Sequence, residues 1–174
     1  MLVKTASKLS ARGSHPFTNG EEVYRGEIPS RLEERHAVID DVLRTLNRVG
    51  AKTDPYVDRF HLDEALTNAM IHGNELDETR KVTVRAFFDG ERWGYEVNDD
   101  GAGFDTADLD TADLDAREFD ERVRHGLEFS QTSGHGLALI RATGGDLHFL
   151  RGGRTAVIVR RADHTAARGG PASQ

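Results

Sequence analysis

Two stretches of the chain alternate in period two around a glycine-bearing turn, and this limits the fold more than any other feature. Val82, Val84, Ala86 and Phe88 alternate with Lys81, Thr83 and Arg85, Asp89-Gly90 follows as a hairpin signal, and Trp93, Tyr95 and Val97 alternate on the return. Leu147 to Leu150 and Thr155 to Val159 repeat the pattern across Gly152-Gly153. Consecutive strands joined by tight turns demand an antiparallel or mixed sheet, so the class is α+β, with helices on one face, rather than a doubly wound alternation. Val23 to Ile28 is a further short strand.

Three helices are expected. Ser30 reads as an N-cap with Glu33 completing a capping box, and Leu32, Ile39, Val42, Leu43, Leu46 and Val49 follow at helical spacing until Gly50. Asp54 caps a second helix with Pro55 in its first turn and an apolar stripe at Leu62, Ala65, Leu66, Ala69 and Met70; Gly73 lies just past its end. Gly136 to Ala142 forms the third. His36 reads as a packing histidine on the first helix.

Composition removes several function classes. The 174 residues suit one domain, the absence of cysteine excludes disulfide scaffolds, thiol catalysis and thiolate metal sites, and a net charge of −7 argues against direct nucleic-acid binding. No apolar run reaches the roughly 20 residues of a membrane helix and no signal-peptide pattern opens the chain, so no membrane association and a cytoplasmic location are expected. Residues 1–21 read as a loose arm, 22–161 as the folded domain and 162–174 as a disordered tail. Between them, Thr106–Asp110 is duplicated at Thr111–Asp115 in a strongly acidic stretch, which by itself suits a solvated loop.

Three motifs carry chemistry. Glu64 and Asn68 are neighbours on one helix face, with His72 continuing the row, roughly opposite the apolar stripe. They fit a solvated face, or a site in which the Asn68 oxygen ligates Mg²⁺ and Glu64 serves as a general base. Asn98-Asp99-Asp100-Gly101-Ala102-Gly103 leaves a strand end. Asp99 can accept a hydrogen bond from an exocyclic amine there, although such acidic turns also bind calcium or simply turn. Ser133-Gly134-His135-Gly136-Leu137 enters a helix, whose free N–H groups suit phosphate. No P-loop and no dinucleotide-binding glycine fingerprint occurs.

The ordered set E-A-L-T-N-A-M-I-H-G-N (64–74), N-D-D-G-A-G-F (98–104) and G-H-G-L-A-L-I (134–140) resembles the GHKL, or Bergerat, ATP-binding fold. Within it the chain is similar to the bacterial anti-sigma factor serine/threonine kinases of the partner-switching type. The resemblance implies a two-layer sandwich, a mixed, mostly antiparallel sheet with helices on one face and a long ATP lid at about 105–133. It implies that Glu64 is the catalytic base, that Asn68 holds the Mg²⁺ bridging the ATP phosphates, and that His72 belongs to the nucleotide site. Asp99 would read the adenine amine in a pocket shaped by Gly101 and Gly103. Gly134, His135, Gly136 and Leu137 would contact phosphates, and Thr155 would support adenine recognition. Its partners would be a sigma factor and a STAS-type anti-sigma antagonist phosphorylated on serine, and a homodimer is compatible with it. A nucleotide-dependent binding module without phosphoryl transfer and a histidine-kinase catalytic domain are the competing readings.

Overall fold

In the computed structural model, residues 14–18, 21–103 and 135–162 are described. Their elements are β1 (Glu21–Pro29), α1 (Arg35–Arg48), α2 (Val57–Asn68) running into a π-turn (Ala69–Gly73), β2 (Lys81–Phe88), β3 (Arg92–Asn98), α3 (His135–Ala142), β4 (Asp146–Leu150) and β5 (Thr155–Arg161). The strands form one sheet in the order β1-β2-β3-β5-β4. Each of its neighbouring pairs is antiparallel, so the expected mixture with parallel pairing is not found among the described strands. The reason is topological. β3 and β4 run in the same direction across the α3 crossover, but β5 lies between them and pairs antiparallel with both. The expected α+β class holds.

The helices cover one face. Val38, Ile39, Val42, Leu43 and Leu46 of α1, Leu62, Ala65 and Leu66 of α2 and Ile140 of α3 share a single buried cluster with Val82, Val84, Trp93, Tyr95 and Val97 of the sheet. Leu62, Leu66 and Met70 are fully buried, and each contributes roughly 1.5–3 kcal/mol by leaving water. The alternations predicted for β2 and β3 therefore face the core as expected.

Local details differ from the sequence reading in instructive ways. Ser30 does not cap α1: its hydroxyl donates to the Arg80 carbonyl at 2.9 Å, a short 3₁₀ turn (Leu32–Glu34) intervenes, and the helix starts at Arg35. A capping box satisfies free amides only if its serine is not already engaged elsewhere, and Ser30 is. Asp54 does act as a cap, its Oδ1 accepting the amides of Tyr56 and Val57 at 2.9 Å each. The first hairpin turns one residue later than Asp89-Gly90. Asp89 N donates to the Arg92 carbonyl at 3.1 Å, Gly90 carries the positive φ of 95°, and Asp89 Oδ1 accepts from the amides of Glu91 and Arg92. Phe17, expected in a loose arm, is buried with Phe87, Val157 and Val159 on the outer sheet face, and His15 Nε2 lies 2.9 Å from Glu96 Oε2. The acidic repeat, the lid and residues 163–174 lie outside the described residues.

A buried carboxylate ties the layers together. Asp58, in the first turn of α2, is fully buried. Its Oδ1 accepts from Trp93 Nε1 at 3.1 Å, from Arg160 Nε at 3.0 Å and from the Tyr95 hydroxyl, and its Oδ2 accepts from Asp54 N at 2.6 Å. Asp58→Ala leaves the Arg160 guanidinium buried without its counter-charge and is expected to cost about 3–5 kcal/mol. Asp58→Leu combined with Arg160→Met should recover only part of that loss: it removes the unpaired charge but leaves Trp93 Nε1, the Tyr95 hydroxyl and Asp54 N without their acceptor. Urea denaturation midpoints of the wild type and both variants check this.

Candidate functional site

α2 does not end where its hydrogen-bond ladder would predict. Over Ala69–Gly73 it widens into a π-turn, closed by Asn74 N donating to the Ala69 carbonyl at 2.8 Å. The wider turn carries Gly73 against the loop that leaves β3. Such π-turns recur at functional sites.

Glu64 and Asn68 share a face of α2, as their spacing requires, but that face is not uniformly solvated. Glu64 is buried at 7% exposure. Its carboxylate lies against the first turn of α3, where a Cβ on Gly136 would fall 1.9 Å from a Glu64 oxygen. A side chain at position 136 would push the Glu64 carboxylate from its present place. Burial pushes the Glu64 carboxyl up to about 7; the neighbouring Asp63 carboxylate adds to the rise and the Arg35 guanidinium opposes it. Arg35 and Asp63 pair at 3.0 Å beside it. At neutral pH Glu64 is therefore poised between its two protonation states, which suits a proton acceptor.

Asn68 and His72 open on a cavity of about 260 Å³ between α2, the α3 start and the sheet. Its wall carries Asp99 and Gly103 on the polar side and Val97, Leu147 and Phe149 on the apolar side, with Leu137 at the α3 end. Glu64 is not part of this wall. Asp99 sits just past β3, 8% exposed, its amide bonded to the Arg154 carbonyl at 3.0 Å. Burial raises its carboxyl above the usual range, against the lowering effect of the Gly101 amide, which it accepts at 2.8 Å, and of Arg154. A Cβ on Gly101 would fall 2.0 Å from the Gly73 carbonyl oxygen, and one on Gly73 would fall 2.3 Å from the Asp99 carboxyl carbon. The π-turn and the Asp99 loop thus touch backbone to backbone.

Thr155 is placed differently from the expectation. Its hydroxyl is committed to Asn98 Oδ1 at 2.6 Å, and its neighbours Arg154 and Ala156, not Thr155, line the cavity. Strand alternation explains this, since adjacent residues face opposite sides. Gly134 lies outside the described residues; His135 opens α3 and Gly136 and Leu137 occupy its first turn. Sequence reasoning missed Gly73, Arg154 and Asn74. Gly73 and Asn74 lie inside the 64–74 motif, and the glycine there was read only as a helix stop.

An apolar cavity wall with a carboxylate beside it fits a purine base. An asparagine oxygen and a helix N-terminus at the same cavity fit its phosphates and a bridging cation, because Mg²⁺ takes few protein ligands when phosphates supply the others. Among the described residues there is no group of three or more acidic or histidine side chains that could hold a metal by themselves. Fold and cavity together thus define a nucleotide-binding α+β domain. The chain matches the family model of the histidine kinase-like ATPase domain over residues 28–161 and belongs to that family. ATP binding and an ATP-using, kinase-like chemistry come with that membership. No curated protein matches the chain. No helix among the described residues is long and apolar enough to cross a membrane.

The raised Glu64 pKa makes a stability prediction. The folded state holds this proton up to about pH 7, whereas the unfolded chain releases it near 4.5. Glu64 therefore costs nothing below about pH 4.5, and its cost grows through that window to about 3 kcal/mol above pH 7. Glu64→Gln should gain stability over the wild type progressively between pH 4.5 and 7 and hold a constant margin above it, read from urea midpoints at each pH.

Proposed function

We propose that this chain is an ATP-dependent protein serine kinase of the anti-sigma type. It transfers phosphate to a serine of a small STAS-type antagonist and holds a sigma factor. One observation carries the kinase part: a carboxyl group buried beside Asn68 at the α3 start, with its proton affinity lifted to about 7. A domain that only binds nucleotide needs no acceptor for a hydroxyl proton. The choice of partners rests on the resemblance of residues 64–74 to the partner-switching kinases.

Asp99 would accept the adenine amine, Val97, Leu147 and Phe149 would pack against the base from the sheet side, and the first-turn amides of α3 would receive phosphate oxygens. Mg²⁺, held through Asn68, would neutralise phosphate charge when bound. Phosphoryl transfer asks little covalent work of the protein beyond positioning and charge compensation. The remaining task is to accept the proton of the attacking serine hydroxyl, and ionised Glu64 supplies that acceptor. A non-catalytic, nucleotide-dependent binding module is the second reading. It is favoured by the position of Glu64 outside the cavity wall and against Gly136, where a substrate hydroxyl must displace packing to reach it.

Incubation with Mg-ATP and candidate antagonists from the same genome, followed by mass spectrometry for phosphoserine, decides between the two. Glu64→Gln is expected to retain ATP affinity and to lose about 10²- to 10⁴-fold in transfer rate. Phosphorylation by this variant at the wild-type rate removes Glu64 from the mechanism. Asp99→Asn replaces an acceptor by a donor facing the amine and should weaken ATP binding by about 1–3 kcal/mol in calorimetry.

A further inference from the structure

We propose that Asn74 is the positioning residue for purine recognition: its carboxamide holds the Asp99–Gly101 loop at the depth at which the Asp99 carboxylate meets the base. The inference rests on the reading of Asp99 as the group that recognises the exocyclic amine. Asn74 is fully buried, and its side chain uses both ends. Its Oδ1 accepts the Asp100 amide at 2.8 Å. Its Nδ2 donates to Ser30 Oγ at 2.8 Å and to the Lys81 carbonyl at 3.0 Å. Its own amide closes the π-turn on Ala69. One residue therefore joins the end of β1, the start of β2, the end of α2 and the loop after β3.

The tolerance of this joint is small. Gly73 immediately before Asn74 and Gly101 immediately after Asp100 are in backbone contact, with no room for a Cβ on either. The Asp99 carboxylate packs on Gly73. The Asp100 amide belongs to the peptide that follows Asp99, so its bond to Asn74, together with the Asp99 amide on the Arg154 carbonyl, sets the direction from which the Asp99 side chain leaves the backbone. Lys81 N donating to Asp100 Oδ2 at 3.1 Å is an exposed bond, and water can replace it. The Asn74 bond is partly buried, with its acceptor on a fully buried side chain, so water replaces it less readily than it replaces the Lys81 bond. Ser30 belongs to the far arm of the same joint. It receives Asn74 Nδ2 and donates to the Arg80 carbonyl, without touching the Asp99 loop.

Inosine triphosphate differs from ATP only at the base, by a carbonyl in place of the exocyclic amine and a proton on N1, so the ratio of the two affinities reports base reading apart from phosphate binding. Calorimetry with the full chain is expected to give the wild type about 10- to 100-fold preference for ATP. Asn74→Ala should reduce the preference to below about threefold while leaving inosine triphosphate affinity within about threefold of the wild type. Ser30→Ala should lower the melting temperature yet keep the ATP preference. A wild type that binds both nucleotides equally overturns the Asp99 reading and this proposal with it. A wild-type preference that survives in a folded Asn74→Ala overturns the proposal alone. If Asn74→Ala does not fold, amide hydrogen exchange of the wild type decides. Greater protection of the Asp100 amide with ATP than with inosine triphosphate supports the joint, and equal protection overturns it.

Discussion

Burying a carboxylate is costly unless both oxygens are hydrogen-bonded and the charge is met, and Asp58 satisfies both conditions at the point where helix and sheet layers join. Its donors come from β3 and β5 together: Trp93 and Arg160 face each other across the strand pair, with the guanidinium 5.9 Å from the indole centroid. Hydrogen bonds to a shared charge have angular requirements that apolar packing lacks, so this contact fixes the rotation of α2 about its axis. Every functional side chain on α2 inherits that rotation. Glu64 and Asn68 follow on the same helix, and the π-turn takes its position from its end. The network continues to α3. Arg160 Nη1 donates to the Thr143 carbonyl at 3.0 Å, and Thr143 Oγ1 lies 2.6 Å from His61 Nε2. Thr143 Oγ1 already donates to Leu139, so His61 must donate to it. Burial and Arg160 push His61 down to about 3, which keeps the ring neutral in this role.

The acidic groups of the core divide by environment rather than by type. Asp58 is surrounded by donors and supports the fold. Glu64 and Asp99 are buried with fewer of them, and burial raises both. Carboxyl groups held out of water without full compensation destabilise a fold, and such groups concentrate where a ligand or a proton is to be received. The helix–sheet core, with fully buried Leu62, Leu66, Val82 and Val84 among its members, offsets that cost.

Much of this was legible in the residue order. The two hairpins, the apolar stripe of α2, the Asp54 cap and the three motifs all announce themselves, and they suffice for the α+β class. Other features were not legible. Asp58 stands on the apolar stripe with Leu62 and Ala65, a carboxylate on a core face, and this signal points to a buried partner without saying that the partner is Arg160, 102 residues away. Ser30 satisfied the capping rule and was claimed instead by Arg80 and Asn74. The first hairpin moved by one residue because Asp89 pairs with Arg92.

The sequence by itself determined which segments are strands and helices, which of their faces are apolar and which residues carry chemistry, because periodicity and turn preferences are local. Tertiary structure alone decided that Glu64 is buried rather than solvated, that Thr155 faces Asn98 rather than the cavity, and that Gly73 and Gly101 meet with no space between them. It also decided the insertion of β5 between β3 and β4, which makes every described strand pairing antiparallel. Each of these depends on a neighbour distant in sequence. Proton affinity, close approach and strand order are set by what packs alongside a residue, and no local pattern encodes that.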